Sequence, residues 1–168
     1  MNLPDRLLEL AKTLTKLEVK RPRQATLRRA TSTAYYSVFH LLVRDYAGLF
    51  SNDSKVCAAI GRTVNHFDIT SVARDFSAAA IRLPAALDKL GIAATTELVD
   101  VAQAFTNLQA ERHDADYDLS LTYTRDEVTG FVKVAQTAFE DWAVARKTPA
   151  AGIFLACFQL KAVWDEKR

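Results

Sequence analysis

Residues 3–19 read LPDRLLELAKTLTKLEV, and their leucines recur every three or four positions: Leu3, Leu7, Leu10, Leu14 and Leu17. Charged side chains such as Arg6 and Lys16 fall between them, away from the leucine side. This period is typical of an amphipathic α-helix with the leucines on its apolar face. A similar period returns along most of the chain, so we predict an all-α protein.

The composition supports long helices with few connections. The 168 residues include 5 glycines and 4 prolines, well below the average share of about 12% for the two together. Alanine, the best helix former, occurs 27 times. Few turn-forming residues disfavour β-barrels, β-sandwiches and folds that hold a nucleotide in a glycine-rich loop.

The remaining helices follow from caps and breaks. We predict a helix over 24–47, and a short helix over 55–67 with a glycine inside it. One or two short helical pieces lie around Pro84. Thr124 and Glu127 form a predicted capping box, in which each side chain bonds the other residue's backbone N–H.

We therefore expect an up-and-down helical bundle in a single domain covering residues 1–168. Its core comprises about residues 3–147, and a helix over about 150–166 is appended to it. The N-terminus lacks the pattern of a secretion signal, and no apolar run is long enough to span a membrane. We expect a cytoplasmic protein that does not insert into membranes.

Charge is unevenly distributed although the net charge is only +2. Residues 1–30 contain eight basic and three acidic side chains, and residues 111–127 contain six acidic and two basic ones. The small total does not by itself indicate a nucleic-acid-binding protein.

One candidate site lies on the second predicted helix, where Arg29, Thr33, Tyr36 and His40 share one face. Guanidinium, hydroxyl, phenol and imidazole groups together could bind a phosphate and stack on a base. The alternative is a solvated or interhelical polar face, as most amphipathic helices have.

A second candidate centres on Arg112. Viewed down the predicted helix, Arg112 falls between Phe105 and Leu108 and so interrupts an apolar face. A buried arginine needs a partner, and Asp116 lies four residues further on. Two interpretations stay open: an Arg112–Asp116 ion pair that closes the bundle, or a phosphate-binding arginine in a groove with His113 beside it.

Two segments resemble a known family. Residues 29–40, RATSTAYYSVFH, resemble the S-R-A-Y-Y-A-x-F-H helix of small bacterial HEPN-domain proteins, and residues 112–118, RHDADYD, resemble their R-x-x-A-D-Y element. The resemblance covers roughly residues 5–145. It implies a HEPN-like helical bundle, often dimeric, that binds nucleotides or RNA in bacterial regulatory, toxin–antitoxin or defence systems.

The resemblance also implies partners and a set of binding residues. We expect a homodimer, a nucleotidyltransferase-type partner protein, and RNA or a nucleotide as ligand, with no cofactor and no metal. Taken with the two candidate sites, the expected nucleotide- or RNA-binding residues are Arg29, Tyr36, His40, Arg112 and Asp116.

Active HEPN members are metal-independent ribonucleases whose signature is an arginine, a polar residue and a later histidine. Arg112 matches the arginine and His113 the polar residue, but Tyr117 or Asp118 stands where the histidine is expected. We therefore predict a binding or partner module rather than an enzyme. The alternative is an endoribonuclease in which Arg112 stabilises the phosphate and transition state, with His113 and Tyr117 as further catalytic candidates.

Overall fold

The computed structural model describes residues 2–79 and 84–166. The described residues form eight helices and no strand, so the protein is an all-α helical bundle, as predicted. In chain order the helices are α1 Leu3–Lys16, α2 Gln24–Gly48, α3 Ser54–Gly61, α4 His66–Ser77, α5 Ala85–Leu90, α6 Thr96–Tyr117, α7 Arg125–Ala145 and α8 Pro149–Glu166.

The helices form two compact units. The first consists of the described residues up to His40 together with Ala104–Phe139. The second consists of Leu41–Gln103 and the described residues from Glu140 onward. All of the candidate site residues lie in the first unit. The expectation of a single HEPN-like domain over residues 1–168 stays a prediction.

In the first unit, helix α2 is buried on nearly every side between Ala30 and Phe39. Three of its buried hydroxyls donate hydrogen bonds to carbonyls of the same helix, which satisfies them without any partner elsewhere. These bonds run from Thr31 to Leu27, from Thr33 to Arg29 and from Ser37 to Ala34. Ser32 differs, because its hydroxyl bonds a residue of α6.

Helix α1 does not bury the face that the leucine spacing predicts. Leu3, Leu10 and Leu17 are 54%, 46% and 57% exposed, and Leu7 and Leu14 are half-buried. The buried side consists of Pro4, Leu8, Ala11 and Thr15. These residues lie about 100–160° around the helix from Leu10. Ala11 is fully buried, and its small side chain permits a close approach on this side.

The predicted end of α1 at Val19 is also wrong, because the helix stops at Lys16. The next residues bend, and Arg125 donates hydrogen bonds to the carbonyls of Glu18 and Val19. Those carbonyls are thereby satisfied outside a helix.

The predicted capping box at the start of α7 is confirmed. Thr124 N–H donates to Glu127 Oε2 at 2.7 Å, and Glu127 N–H donates to Thr124 Oγ1 at 3.3 Å.

In the second unit, the predicted single helix over 55–67 is wrong. Helix α3 ends at Gly61, and α4 begins at His66 after Asn65, whose side chain accepts a hydrogen bond from Asp68 N–H. The extended backbone of this cap separates the two helices, and Phe67 is left exposed. Two short helices, α4 and α5, flank Pro84 as predicted, although residues 80–83 lie outside the described part of the chain.

The C-terminal helix α8 packs against α4 and α5 of the same unit. Phe154 and Phe158 are buried, and the ring of Phe154 lies 5.0 Å from that of Phe76. Lys161 forms an ion pair with Asp75 at 2.7 Å. The appended helix therefore supplies part of the core of this unit.

Candidate functional site

Arg112 of α6 faces α2 within the first unit. Its side chain is 20% exposed, and its Nη2 donates a 2.9 Å hydrogen bond to the hydroxyl oxygen of Tyr36. Its Nε lies 2.9 Å from Oδ2 of Asp116. The Arg112–Asp116 ion pair, one of the two arrangements that the sequence predicts, is therefore present.

Two aromatic rings also contact the guanidinium. Its Cζ lies 5.5 Å from the ring centroid of Tyr36 and 5.6 Å from that of Tyr117, within the range of cation–π attraction. Desolvation lowers the pKa of Arg112, but the hydrogen bond to Tyr36 and the charge of Asp116 outweigh it. The net effect raises the pKa, so the guanidinium keeps its charge.

Asp116 is held from two sides. Its Oδ1 accepts a 2.6 Å hydrogen bond from the hydroxyl of Ser32, a side chain that is almost fully buried. The Nε of Arg112 is buried and has no well-aligned hydrogen bond, so its contact with Asp116 is a charge pair. We call Ser32, Tyr36, Arg112, Asp116 and Tyr117 the Arg112 cluster.

The outer side of the cluster is aromatic. Tyr117 is 64% exposed, and its ring centroid lies 5.1 Å from that of His113, which is also exposed. His113 therefore contacts Tyr117, and its position about 100° around α6 turns it away from Arg112.

His40 adjoins the cluster through Tyr36, with ring centroids 6.3 Å apart. The imidazole is half-buried, and burial lowers the pKa of His40 below its usual 6.5. The ring is consequently neutral at pH 7 and able to accept a proton.

The predicted polar stripe of α2 is only partly assembled. Tyr36 and His40 reach or adjoin the cluster, whereas Thr33 is buried. Arg29 is exposed, and among the described contacts none joins its side chain to the cluster. The predicted role of Arg29 in binding stays a prediction.

Two further residues next to Asp116, Ser32 and Arg28, are not predicted as site residues from the sequence. Ser32 lies four residues before Tyr36 and so shares its face of α2, which is a usable signal once Asp116 is known to need a partner. Arg28 donates to the carbonyls of Ala115, Asp118 and Leu121, at 2.8, 2.9 and 2.6 Å. It thereby satisfies the carbonyl of Ala115 in the last turn of α6, where intrahelical partners are lacking, and two carbonyls of the loop that follows the helix.

Within residues 2–79 and 84–166, no group of three or more histidine, cysteine or acidic side chains is arranged to hold a metal ion. In the same described ranges, none of the helices combines the length and apolar character that crossing a membrane requires.

Comparison with protein-family models, with curated protein sequences and with solved structures gave no significant match. The Arg112 cluster is therefore the feature of the molecule that bears on its function.

Proposed function

We propose that this protein is a cytoplasmic HEPN-like module that binds RNA or a nucleotide at the Arg112 cluster without cleaving it. The single observation that supports this proposal is a charged guanidinium within about 6 Å of the ring centroids of two tyrosines, one of which is largely exposed. The resemblance of residues 29–40 and 112–118 to HEPN proteins suggests a bacterial regulatory, toxin–antitoxin or defence setting.

The groups of the cluster suit the two parts of a nucleotide. A guanidinium binds phosphate through charge-assisted hydrogen bonds. Exposed aromatic rings such as Tyr117 and His113 offer a face on which an unpaired base can stack. A single-stranded RNA or free nucleotide satisfies both requirements, whereas the bases of a duplex are already stacked.

Binding without cleavage is proposed because a proton acceptor is lacking at the expected position. Cleavage of RNA requires removal of the 2′-hydroxyl proton, protonation of the leaving oxygen and stabilisation of the developing charge. Arg112 could do the last, but Tyr117 stands where the HEPN signature has its histidine. A tyrosine hydroxyl is a poor substitute for an imidazole as the group that removes this proton.

The test is fluorescence anisotropy with a labelled single-stranded RNA at low salt. Arg112→Ala should weaken binding at least tenfold, and Tyr117→Ala should weaken it about tenfold, since base stacking contributes roughly 1–3 kcal/mol. Arg74→Ala is the matched control, because it removes an exposed arginine of the second unit. Absence of binding, or equal losses in all three variants, would contradict the proposal.

One observation favours the endoribonuclease alternative. His40 and Arg112 both contact the ring of Tyr36, so an imidazole that could act as a base lies close to the guanidinium. Structured RNA incubated with EDTA tests this alternative in wild type, Arg112→Ala and His40→Ala. Cleavage by the wild type that is lost in both variants would establish a nuclease. Absence of cleavage by the wild type would exclude the endoribonuclease alternative.

The expected partners, a second copy of the chain and a nucleotidyltransferase-type protein, remain predictions. Light scattering on the purified protein tests whether the chain forms a homodimer. Co-purification with a candidate nucleotidyltransferase tests whether the two proteins form a complex.

A further inference from the structure

The carboxylate of Asp116 is held against Arg112 by contacts from two helices. One of its oxygens lies 2.9 Å from the Nε of Arg112, while Ser32 donates to the other oxygen at 2.6 Å. The two charged residues are four positions apart on α6, so their side chains meet on one face. Both members of the pair thus belong to one helix, and the hydroxyl of Ser32 on α2 holds the carboxylate in position.

The hydrogen-bonding capacity of Arg112 is already partly used. Guanidinium groups bind phosphate best through two parallel N–H donors on one edge. Asp116 occupies the Nε edge, and Nη2 donates to Tyr36. A phosphate that binds Arg112 through the parallel donors of its Nε–Nη2 edge must therefore displace Asp116.

We infer that a ligand phosphate binds the Nε–Nη2 edge of Arg112 and that Asp116 is the internal competitor it displaces there. This inference rests on the proposed function and changes the role of one residue in it. Asp116 is not a ligand contact but a carboxylate that lowers affinity and sets a threshold for binding. The buried Ser32 sets the strength of this competition, because it holds the carboxylate in place.

Competition with a carboxylate selects the class of phosphate. A phosphodiester carries one negative charge, as does Asp116, and gains little by exchange. A phosphomonoester carries about −1.5 to −2 at pH 7, because its second pKa is near 6. The site therefore favours a terminal phosphate, on either a mononucleotide or the end of an RNA, over the internal linkages of a strand.

Displacement of Asp116 removes the hydrogen-bond acceptor of Ser32, but the hydroxyl can find another acceptor. A helical serine can donate to the carbonyl four residues earlier, as Thr31 and Thr33 do on the same helix. The released carboxylate can turn outward, because the side chain of Asp116 is already 28% exposed. Neither change requires α2 or α6 to move.

The decisive variant is Asp116→Asn, which keeps an acceptor for Ser32 and removes the charge. Asp114→Asn is the matched control, because it removes the same charge two residues away without a described contact to Arg112. The ligands are a labelled RNA with a 5′-phosphate, the same RNA with a 5′-hydroxyl, and AMP. We expect Asp116→Asn to tighten binding of the 5′-phosphate RNA about tenfold, or about 1.4 kcal/mol, and Asp114→Asn less than threefold.

Ser32→Ala provides an independent variant with unchanged charge, and it should tighten binding of the same RNA two- to fivefold. The inference is overturned if Arg112→Ala weakens binding while Asp116→Asn and Ser32→Ala leave it unchanged or weaker, an outcome in which the proposed function survives. Equal binding of the two RNAs overturns the preference for a terminal phosphate. Preference for AMP over both would identify a free nucleotide as the ligand. Absence of binding by every variant overturns the proposed function together with the inference.

Discussion

The Tyr36 hydroxyl accepts a 2.9 Å hydrogen bond from Nη2 of Arg112, joining α2 to α6 across 76 positions of sequence. Tyr36→Phe removes that acceptor and keeps the ring under the guanidinium. We expect the free energy of unfolding to fall by about 1 kcal/mol, the usual contribution of one hydrogen bond. Urea denaturation at pH 7 measures the loss.

Tyr117→Phe is the control for this change, because Tyr117 contacts the same guanidinium through its ring and is largely exposed. Its expected effect is below about 0.5 kcal/mol, as for most surface substitutions. Equal losses in the two variants would show that the hydroxyl of Tyr36 has no special part in stability.

His40 predicts a pH dependence of folding. Burial lowers the pKa of His40 in the folded protein below its usual 6.5, so the unfolded chain binds more protons near pH 6. Stability that is fully present above about pH 6.5 is therefore lost as the pH falls toward the lowered pKa. His40→Asn should flatten the decrease in unfolding free energy between pH 7.5 and 5.5.

His113→Asn removes an exposed imidazole and serves as the comparison. We expect the pH profile to change more in His40→Asn than in His113→Asn, because the imidazole of His40 is the more buried of the two. Equal profiles in the two variants would show that burial of His40 does not control the pH dependence.

Asp45 predicts a stability effect in the second unit. Its carboxylate is only 6% exposed, accepts 2.8 Å hydrogen bonds from Trp142 Nε1 and Arg44 Nε, and lies 3.2 Å from Arg146 Nε. Asp45→Ala leaves the buried indole N–H unpaired and should cost about 2–3 kcal/mol. Asp45→Asn keeps an acceptor and should cost less. Urea unfolding followed by tryptophan fluorescence compares them, and equal losses would contradict the argument.

Asp141 should show the opposite sign. Burial, followed by the negative charges of Asp100, Glu97 and Glu140, raises its pKa. The folded state therefore binds the proton more readily, so the contribution to stability is greatest at low pH and is lost as the pH rises through this pKa. Asp141→Asn should be more stable than the wild type at pH 7, and the difference should vanish below about pH 4.

A carboxylate elsewhere on α7 separates this local effect from a general effect of charge. Asp126 lies in the first turn of the helix, where a negative charge is favourable. Asp126→Asn should bring no gain in thermal stability at pH 7. A similar gain in both variants would mean that any acidic residue of α7 has this effect.

Local patterns in the sequence predicted the local features of the structure. The long helices, the capping box at Thr124 and the Arg112–Asp116 pair all depend on spacings within one helix. The hydrogen bond from Ser32 to Asp116 depends on how α2 and α6 are aligned against each other. No short pattern in a single sequence predicts that alignment. The buried side of α1 was predicted wrongly because the prediction chose the helix face with the most leucines, that is, the most hydrophobic face. The structure instead buries the side that contains the small Ala11.

Arg28 determines how the Arg112 cluster can open. By donating to the carbonyls of Ala115, Asp118 and Leu121, it fastens the end of α6 immediately around Asp116. Release of the carboxylate must then occur by rotation of a side chain while the helix end stays folded. Amide hydrogen exchange in residues 112–117 should accordingly be the same with and without ligand, whereas side-chain NMR signals of Arg112 should shift.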